Sequence, residues 1–412
     1  MRRAVVTGLG AITSLGHDVK TTWQSLLAGK NGISKIENLE TSDLAVQIAA
    51  EIKNFKPEER IPIKLIKRLD RCVQFALWAS MEAVDDAGLD FEKIDRKRVG
   101  VIIGSGIGGL ITLENEHEKF LSKGPKRVSP LLIPMMIADM ASGQVSIYYK
   151  LGGPNYCTVS ACASGAHAIG DALMMIRRGD AEIIVAGGAE APITRFSISG
   201  FAQMRALSTR NDEPELASRP FDQQRDGFVM GEGSGILIVE ELEHAKRRGA
   251  KIYCELSGYG ATGDGYHMTA PDPDGDGGYR GMAMAVKDSK ISVDEIDYIN
   301  AHGTSTPLND KTETMAIKRL LGSRASEVMI NSTKSMIGHL LGAAGGVESV
   351  VTVLSISEKK IHPTINLTNP DSECDLDYCP EGMRELEIRA ALSNSLGFGG
   401  HNATLVFNRF IE

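Results

Sequence analysis

The sequence is short of several things, and each shortage removes a class of protein. No apolar run reaches the roughly 18 residues a membrane span needs. The opening "MRRAVVTGLG" carries twin arginines, but a β-type run follows at once, with no signal-peptide apolar core or cleavage site. A cytoplasmic protein without a membrane span is therefore expected. Excess positive charge is missing too: the net charge is −8, which argues against a general nucleic-acid binder. The six cysteines (72, 157, 162, 254, 374 and 379) form no C-x-x-C pair and no zinc spacing, so neither a disulfide framework nor a zinc site is expected. Aromatic residues make up only 5%, against 44 glycines, a bias toward tight strand-to-helix turns and small-residue packing.

What is present reads as a folded α/β chain, 42% hydrophobic and 24% charged. Its 412 residues suffice for two domains or one large duplicated fold. Apolar β-branched runs, "RAVVTGL", "RVGVIIG", "YCTVSA", "AEIIVAGG" and "GSGILIVEEL", predict strands. "CVQFALWASMEAVDDAG" and "GAHAIGDALMMIRRG" have apolar positions three and four apart and predict helices. The alternation indicates sheets covered by helices. The second half repeats the plan: "KIYCELSGYGATGD" opens it as "RRAVVTGLGAIT" opens the first. "EVMINSTKS" leads into "GHLLGAAGGVESVVTVLSI" much as "NYCTVSA" leads into "CASGAHAIGDALMMI". Two related halves, 1–250 and 251–412, are expected.

Two stretches suggest ligands that the rest of the chain does not support. "VGVIIGSGIGGL" has the G-x-G-x-x-G outline of a dinucleotide turn at Gly104, Gly106 and Gly109. The acid that would hold a ribose about 20 residues on is absent from "GPKRVSPLL". "PDPDGDGG" places Asp272, Asp274, Asp276 and Gly277 as in half an EF-hand, but the twelfth position is Ala283, so a surface loop is the better reading.

Chemistry concentrates at three junctions. "TVSACASGAHAIG" puts Cys162 where a β-run stops and a helix begins, among small neighbours. A helix N-terminus lowers a thiol pKa and favours the thiolate. Taken alone, nucleophile and buried structural cysteine stand level for this residue. His302 in "NAHGTSTP" and His339 in "STKSMIGHLLGAAG" occupy similar glycine-flanked junctions, with Lys334 five residues before His339. Such junctions gather at one end of the sheets in α/β folds, so one converging site is expected.

Cys162 in "SACASG", His302 in "AHGTSTP", Lys334 and His339 in "STKSMIGHLLGAAG", and the terminal "GFGG" together resemble the β-ketoacyl-acyl-carrier-protein synthases, condensing enzymes of the thiolase fold. The resemblance runs nearly end to end, and "GSGIGGL", "STRND", "FVMGEG" and "YHMTAP" are most similar to the synthase II branch of dissociated bacterial fatty-acid synthesis. It implies a layered αβαβα sandwich of two pseudo-duplicated halves and a homodimer. It also implies that Cys162 takes an acyl group from acyl carrier protein in a ping-pong reaction. The N–H groups of Cys162 and Phe398 would form the oxyanion hole, with Phe398 as gate. His302 and His339 would stabilise the enolate left when malonyl-carrier protein loses CO₂. Lys334 would orient the site through Asp310, Glu313 and Glu348. Thr304, Thr306 and Thr269 would bind the phosphopantetheine arm, and Ile107 and Phe201 would line the acyl pocket, which accounts for the glycine-rich stretch without a nucleotide. No free cofactor and no metal are implied. Acyl carrier proteins are acidic, and the resemblance puts their docking at Lys64, Lys67, Arg68 and Arg205. "IKLIKRLDR" predicts a helix with Lys64, Lys67 and Arg68 on one face, Arg71 adding to it.

Leu396 and His401 in "NSLGFGGHN" depart from the "SFGFGGTN" of many relatives and flank Phe398. A degradative thiolase would carry a second cysteine in this motif, a synthase III an asparagine in place of His339, and a chain-length factor no cysteine at 162. A polyketide or specialised-lipid ketosynthase shares all the motifs and stays open, as does a non-catalytic acyl-binding subunit.

Overall fold

The computed structural model describes residues 2–411. Its strands are β1 (Ala4–Ile12), β2 (Ser34–Lys35), β3 (Ile48–Ala49), β4 (Val99–Gly104), β5 (Asn155–Tyr156), β6 (Ile183–Glu190), β7 (Gly233–Glu241), β8 (Cys254–Gly263), β9 (Ile296–Asn300), β10 (Met329–Asn331), β11 (Lys360–Ile361), β12 (Arg384–Glu385), β13 (Ala390–Gly397) and β14 (His401–Asn408). Two short ribbons, β2–β3 and β11–β12, stand apart. The other ten strands form one mixed sheet in the order β10-β9-β13-β14-β8-β1-β7-β6-β4-β5. From either edge inward, neighbours run parallel, parallel, antiparallel, antiparallel. The halves of the sheet join where Ala4, Val5 and Val6 pair with Leu256, Glu255 and Cys254. Beyond Val6 the strands part, and carboxylates from the helix Arg71–Asp86 take over: the N–H groups of Leu9 and Ala11 donate to Asp86 and Glu82, each at 2.9 Å.

Strand alternation feeds two cores at once. Val101, Ile103, Val185, Ile236 and Ile238 face an outer core built with the 71–86 helix, while Ile102, Ile184, Leu237 and Val239 face a central one. In the other half Ile299, Leu392 and Val406 face an outer core with the helix Asp276–Ser289, and Tyr298, Ala391, Leu405 and Phe407 face the same central core. Helices Ser164–Arg178 and Ala344–Glu358 pack between the two halves of the sheet and touch both. The layers are therefore helix, sheet, helix, sheet, helix. Sheets covered on both faces need near-continuous apolar strands, as in "VGVIIG".

Two local expectations fail. Of "YCTVSA" only Tyr156 belongs to a strand. Past it a single cross-strand backbone bond remains, Ser105 N to Thr158 O at 3.3 Å, and side chains supply the rest: Thr158 Oγ1 donates to Ser164 O at 2.7 Å, and Ser160 N donates to Ser164 Oγ at 2.9 Å. The predicted 63–71 helix is one turn, Ile63–Ile66. Leu69 is drawn into the core, and Asp70 caps the next helix by accepting from Cys72 N at 3.0 Å.

The glycine-rich stretch has a packing explanation. A Cβ on Gly104 would run into the carbonyl of Ser164, and one on Gly109 into that of Met135. Gly104→Ala is therefore expected to cost about 1–3 kcal/mol through overpacking, read as a lowered urea midpoint. A parent-like midpoint would show that the strand does not need this close approach.

Candidate active site

Cys162 sits in a tight turn, Ala161–Ala163, directly before the 164–178 helix. Ala161 takes a left-handed backbone, φ 51°, which lifts the cysteine out of the strand direction. Gly397 lies across it: a Cβ there would come within 2.9 Å of Ser160 O and 3.2 Å of Cys162 N. That approach brings the Phe398 N–H, with the N–H of Cys162 itself, onto the sulfur. The thiol is 6% exposed, and burial pushes its pKa up to about 11. The Lys334 charge and the two N–H groups pull the other way without reversing the rise. The lowered thiol pKa expected from the helix N-terminus is thus corrected: desolvation outweighs the Lys334 charge and the two N–H groups, and the resting group is a thiol.

His302 follows β9, and His339 follows the helical turn Lys334–Ile337. Their rings stand perpendicular, with centroids 5.3 Å apart, and Phe228 packs on His339 at 5.2 Å. One nitrogen of each ring and Cys162 Sγ all lie within 4.8 Å of one another. The tautomers follow from the neighbours. Lys334 Nζ can only donate and lies 3.3 Å from His302 Nδ1; the Leu341 N–H donates to His339 Nδ1 at 3.2 Å. Both Nδ1 atoms therefore accept, and both Nε2 atoms carry the proton. Burial first, then the Lys334 charge, hold both imidazoles well below the ordinary histidine pKa, so both are neutral. The trio has the residue types of a metal site, but its rings turn Nε2–H donors to the cavity and keep their Nδ1 lone pairs on Lys334 and the Leu341 N–H. They suit an oxygen that gains negative charge.

Lys334 and Glu348 are each about 1% exposed and form a direct ion pair. Lys334 Nζ also donates to His302 O at 2.6 Å. Glu313 accepts from His302 N and Gly303 N, each at 2.8 Å, and from Asn394 Nδ2 at 3.2 Å; burial raises it to about 7. Asp310 accepts from Phe221 N at 2.8 Å and faces Arg225 at 3.7 Å, one step further from the imidazoles.

Cys162, His302 and His339 open onto a cavity of about 720 Å³. Ile107, Phe201, Arg205, Thr269, Thr304, Thr306, Leu396 and Phe398 line it as well. Thr304 and Thr306 share a hydrogen bond of 2.9 Å, and the His401 ring packs beside Gly399. Lys64, Lys67 and Arg68 are exposed but lie outside this lining. Arg71 does not join them: it pairs with buried Glu232 at 2.8 Å and lies over the Phe75 ring at 4.7 Å. Asp276 of the EF-hand-like loop is taken up by Arg280 and Arg319. Sequence reasoning missed Glu190, Phe228 and Asn394; for Glu190, an acid closing the apolar run "IIVAGGAE" was the available signal.

Removing one member of a buried ion pair strands the other. Lys334→Met is expected to cost about 3–5 kcal/mol of stability, and adding Glu348→Leu to recover most of it. Equal urea midpoints for the single and double variants would show that the pair is not electrostatically coupled.

Comparison with known proteins agrees along the whole chain. Residues 1–245 match the family "Beta-ketoacyl synthase, N-terminal domain", and residues 253–368 match "Beta-ketoacyl synthase, C-terminal domain". The chain is 53% identical over 409 residues to the 3-oxoacyl-[acyl-carrier-protein] synthase 2 of Staphylococcus aureus, covering 99% of each. It is 55% identical over 409 residues to the protein of that name from Synechocystis sp., covering 99% of this chain and 98% of the relative. Among solved structures, a β-ketoacyl synthase from Burkholderia phymatum superposes with a TM-score of 0.93 at 37% identity over 100% of both chains. A ketosynthase solved with its type II polyketide acyl-carrier protein gives 0.92 at 38% identity, covering 99% of this chain and 100% of that one. The fold is the thiolase-like fold of the ketosynthases, and the chain belongs to the β-ketoacyl synthase family.

Proposed function

We propose that this protein is the β-ketoacyl-acyl-carrier-protein synthase II of dissociated (type II) fatty-acid synthesis, an acyltransferase. It condenses malonyl-carrier protein with an acyl group held on Cys162, giving 3-oxoacyl-carrier protein and CO₂. The observation that carries the reading is the meeting of a thiol, two N–H groups and two neutral Nε2–H imidazoles at one cavity. The 53–55% identity over nearly the whole chain favours fatty-acid synthesis over the type II polyketide ketosynthase at 38%.

In the first half-reaction Cys162 Sγ attacks the acyl thioester. The Sγ–acyl bond forms, the acyl bond to the pantetheine sulfur breaks, and the thiol proton leaves on that sulfur. The N–H groups of Cys162 and Phe398 hold the transient oxyanion. In the second, malonyl-carrier protein binds with its thioester oxygen at His302 and His339 Nε2. The bond to the carboxylate breaks, CO₂ leaves, and the electron pair moves onto that oxygen as an enolate. Neutral donors suit this step because their hydrogen bonds strengthen as the charge develops. The enolate carbon then attacks the acyl carbonyl, a carbon–carbon bond forms, and Cys162 departs as a thiolate that takes a proton from water.

Lys334 positions His302 through its carbonyl and Nδ1, with Glu348, Glu313 and Asp310 as the supporting network. Thr304, Thr306 and Thr269 bind the phosphopantetheine arm, and Ile107 and Phe201 line the acyl chain's path. The carrier protein docks on Lys64, Lys67, Arg68 and Arg205, of which Arg205 lies at the cavity itself. Acyl groups arrive on the carrier's pantetheine, and the chemistry needs no free cofactor. The protein works as a cytoplasmic homodimer of two-half subunits, 1–250 and 251–412. Among the described residues no helix is long and apolar enough to cross a membrane.

Three variants test the assignment. Cys162→Ala is expected to fold but to form no acyl-enzyme by intact mass. His302→Ala and His339→Ala are each expected to acylate yet lose about 2.7–4 kcal/mol of transition-state stabilisation in malonyl decarboxylation. Acylation of Cys162→Ala, or parent-rate CO₂ release by both histidine variants, would overturn these roles.

A further inference from the structure

Glu190 ends β6 and is completely buried, yet no cationic side chain pairs with it among the described residues. Four donors surround its carboxylate: Ser105 Oγ at 2.8 Å, Gly106 N at 2.6 Å, Ile107 N at 3.1 Å and Gly342 N at 2.9 Å. Ser105 Oγ accepts from Gly108 N, so its own proton goes to Glu190. Burial raises the carboxyl pKa. Four donors and no acceptor oppose that rise, because an ionised carboxylate can only accept. A buried charge of this kind is costly, and a mere packing role would be filled better by an apolar residue.

Its partners belong to two walls of the cavity. Gly106 and Ile107 line one, and Leu341 lines another. Gly342 follows Leu341, whose N–H fixes Nδ1 of His339. The turn Leu341–Ala343 is also the second-half counterpart of the Cys162 turn. Each precedes a central helix, and each begins with a left-handed residue, Ala161 at φ 51° and Leu341 at φ 46°. Gly342 thus stands where Cys162 stands in the first half. One of these two amides is left for the reaction, and the other is filled by Glu190.

We propose that Glu190 is a positioning residue of the condensing site, its ionised carboxylate tying the Gly106–Ile107 wall to the Leu341–Gly342 turn that orients His339. The seating of an acyl chain against Ile107 is thereby linked to the histidine that receives the enolate. This rests on the roles proposed above for Cys162 and His339.

The test compares the parent, Glu190→Gln and Ser105→Ala. Glutamine keeps the shape but turns an NH₂ toward N–H donors and removes the charge; alanine at 105 removes one donor and keeps the charge. In folded Glu190→Gln, malonyl decarboxylation is expected to fall about tenfold or more in kcat at little-changed KM, as for loss of a charge-assisted hydrogen bond. The pH midpoint of Cys162 alkylation by iodoacetamide is expected to move down, because the Glu190 charge helps to hold that thiol up. Ser105→Ala is expected to leave this midpoint in place. A Glu190→Gln protein with the parent's kcat and alkylation midpoint overturns the proposal. A measurement on the parent needs no variant: hydrogen exchange of segments 105–108 and 341–343 is followed as Cys162 is loaded with short and long acyl chains. Coordinated changes support the link, and changes confined to one segment overturn it. A parent that takes no acyl group from carrier thioesters would instead overturn the assignment of Cys162.

Discussion

Lys334 carries an ammonium into a place that water scarcely reaches, and the groups around it are arranged as its partners. Glu348 balances the charge from the facing helix, and the backbone oxygen and Nδ1 of His302 take the remaining protons. The buried cation fixes the His302 tautomer, adds to burial in holding both imidazoles neutral, and draws down the thiol that burial raises. In water such a charge would be screened; inside the central layer it acts over several side chains at once. A lysine, not an arginine, suits the task because three donors on one small head can face three directions.

The duplicated sheet explains why the reactive groups meet. Both central helices touch both halves of the sheet, and the turns before them pack against each other. The first half puts Cys162 on its turn, and the second puts Gly342 there with His339 just ahead. Close approach demands small residues, and the sequence supplies them: Gly104, Gly165, Gly188, Gly342 and Gly346 all lie where a side chain would strike backbone. Part of the high glycine content has this cause; other glycines, such as Gly88, Gly124 and Gly249, serve left-handed turns in open space.

How much of this was readable in the sequence depended on whether a feature was local. Cys162, His302 and His339 stood out as reactive residue types at glycine-containing junctions, and Lys334 by its place at a similar strand end just ahead of His339. The β-branched runs announced the covered sheets. "YCTVSA" misled because the Ser164 hydroxyl takes up the Ser160 N–H that a ladder would use. The basic helix was shortened by tertiary claims on Leu69 and Asp70, and Arg71 turned inward to Glu232. The thiol went wrong in sign because a helix end is visible in sequence and depth of burial is not. Glu190 escaped notice because its donors lie 84 residues before it and 152 after.

The central claim is that two neutral imidazoles present Nε2–H to the cavity beside Cys162. Nitrogen-15 NMR of histidine-labelled protein at neutral pH reads this directly, with His302→Gln and His339→Gln spectra to assign the signals. The account predicts that both rings are uncharged, with the proton on Nε2 and Nδ1 acting as a hydrogen-bond acceptor. An imidazolium at either position, or a proton on Nδ1, would contradict it.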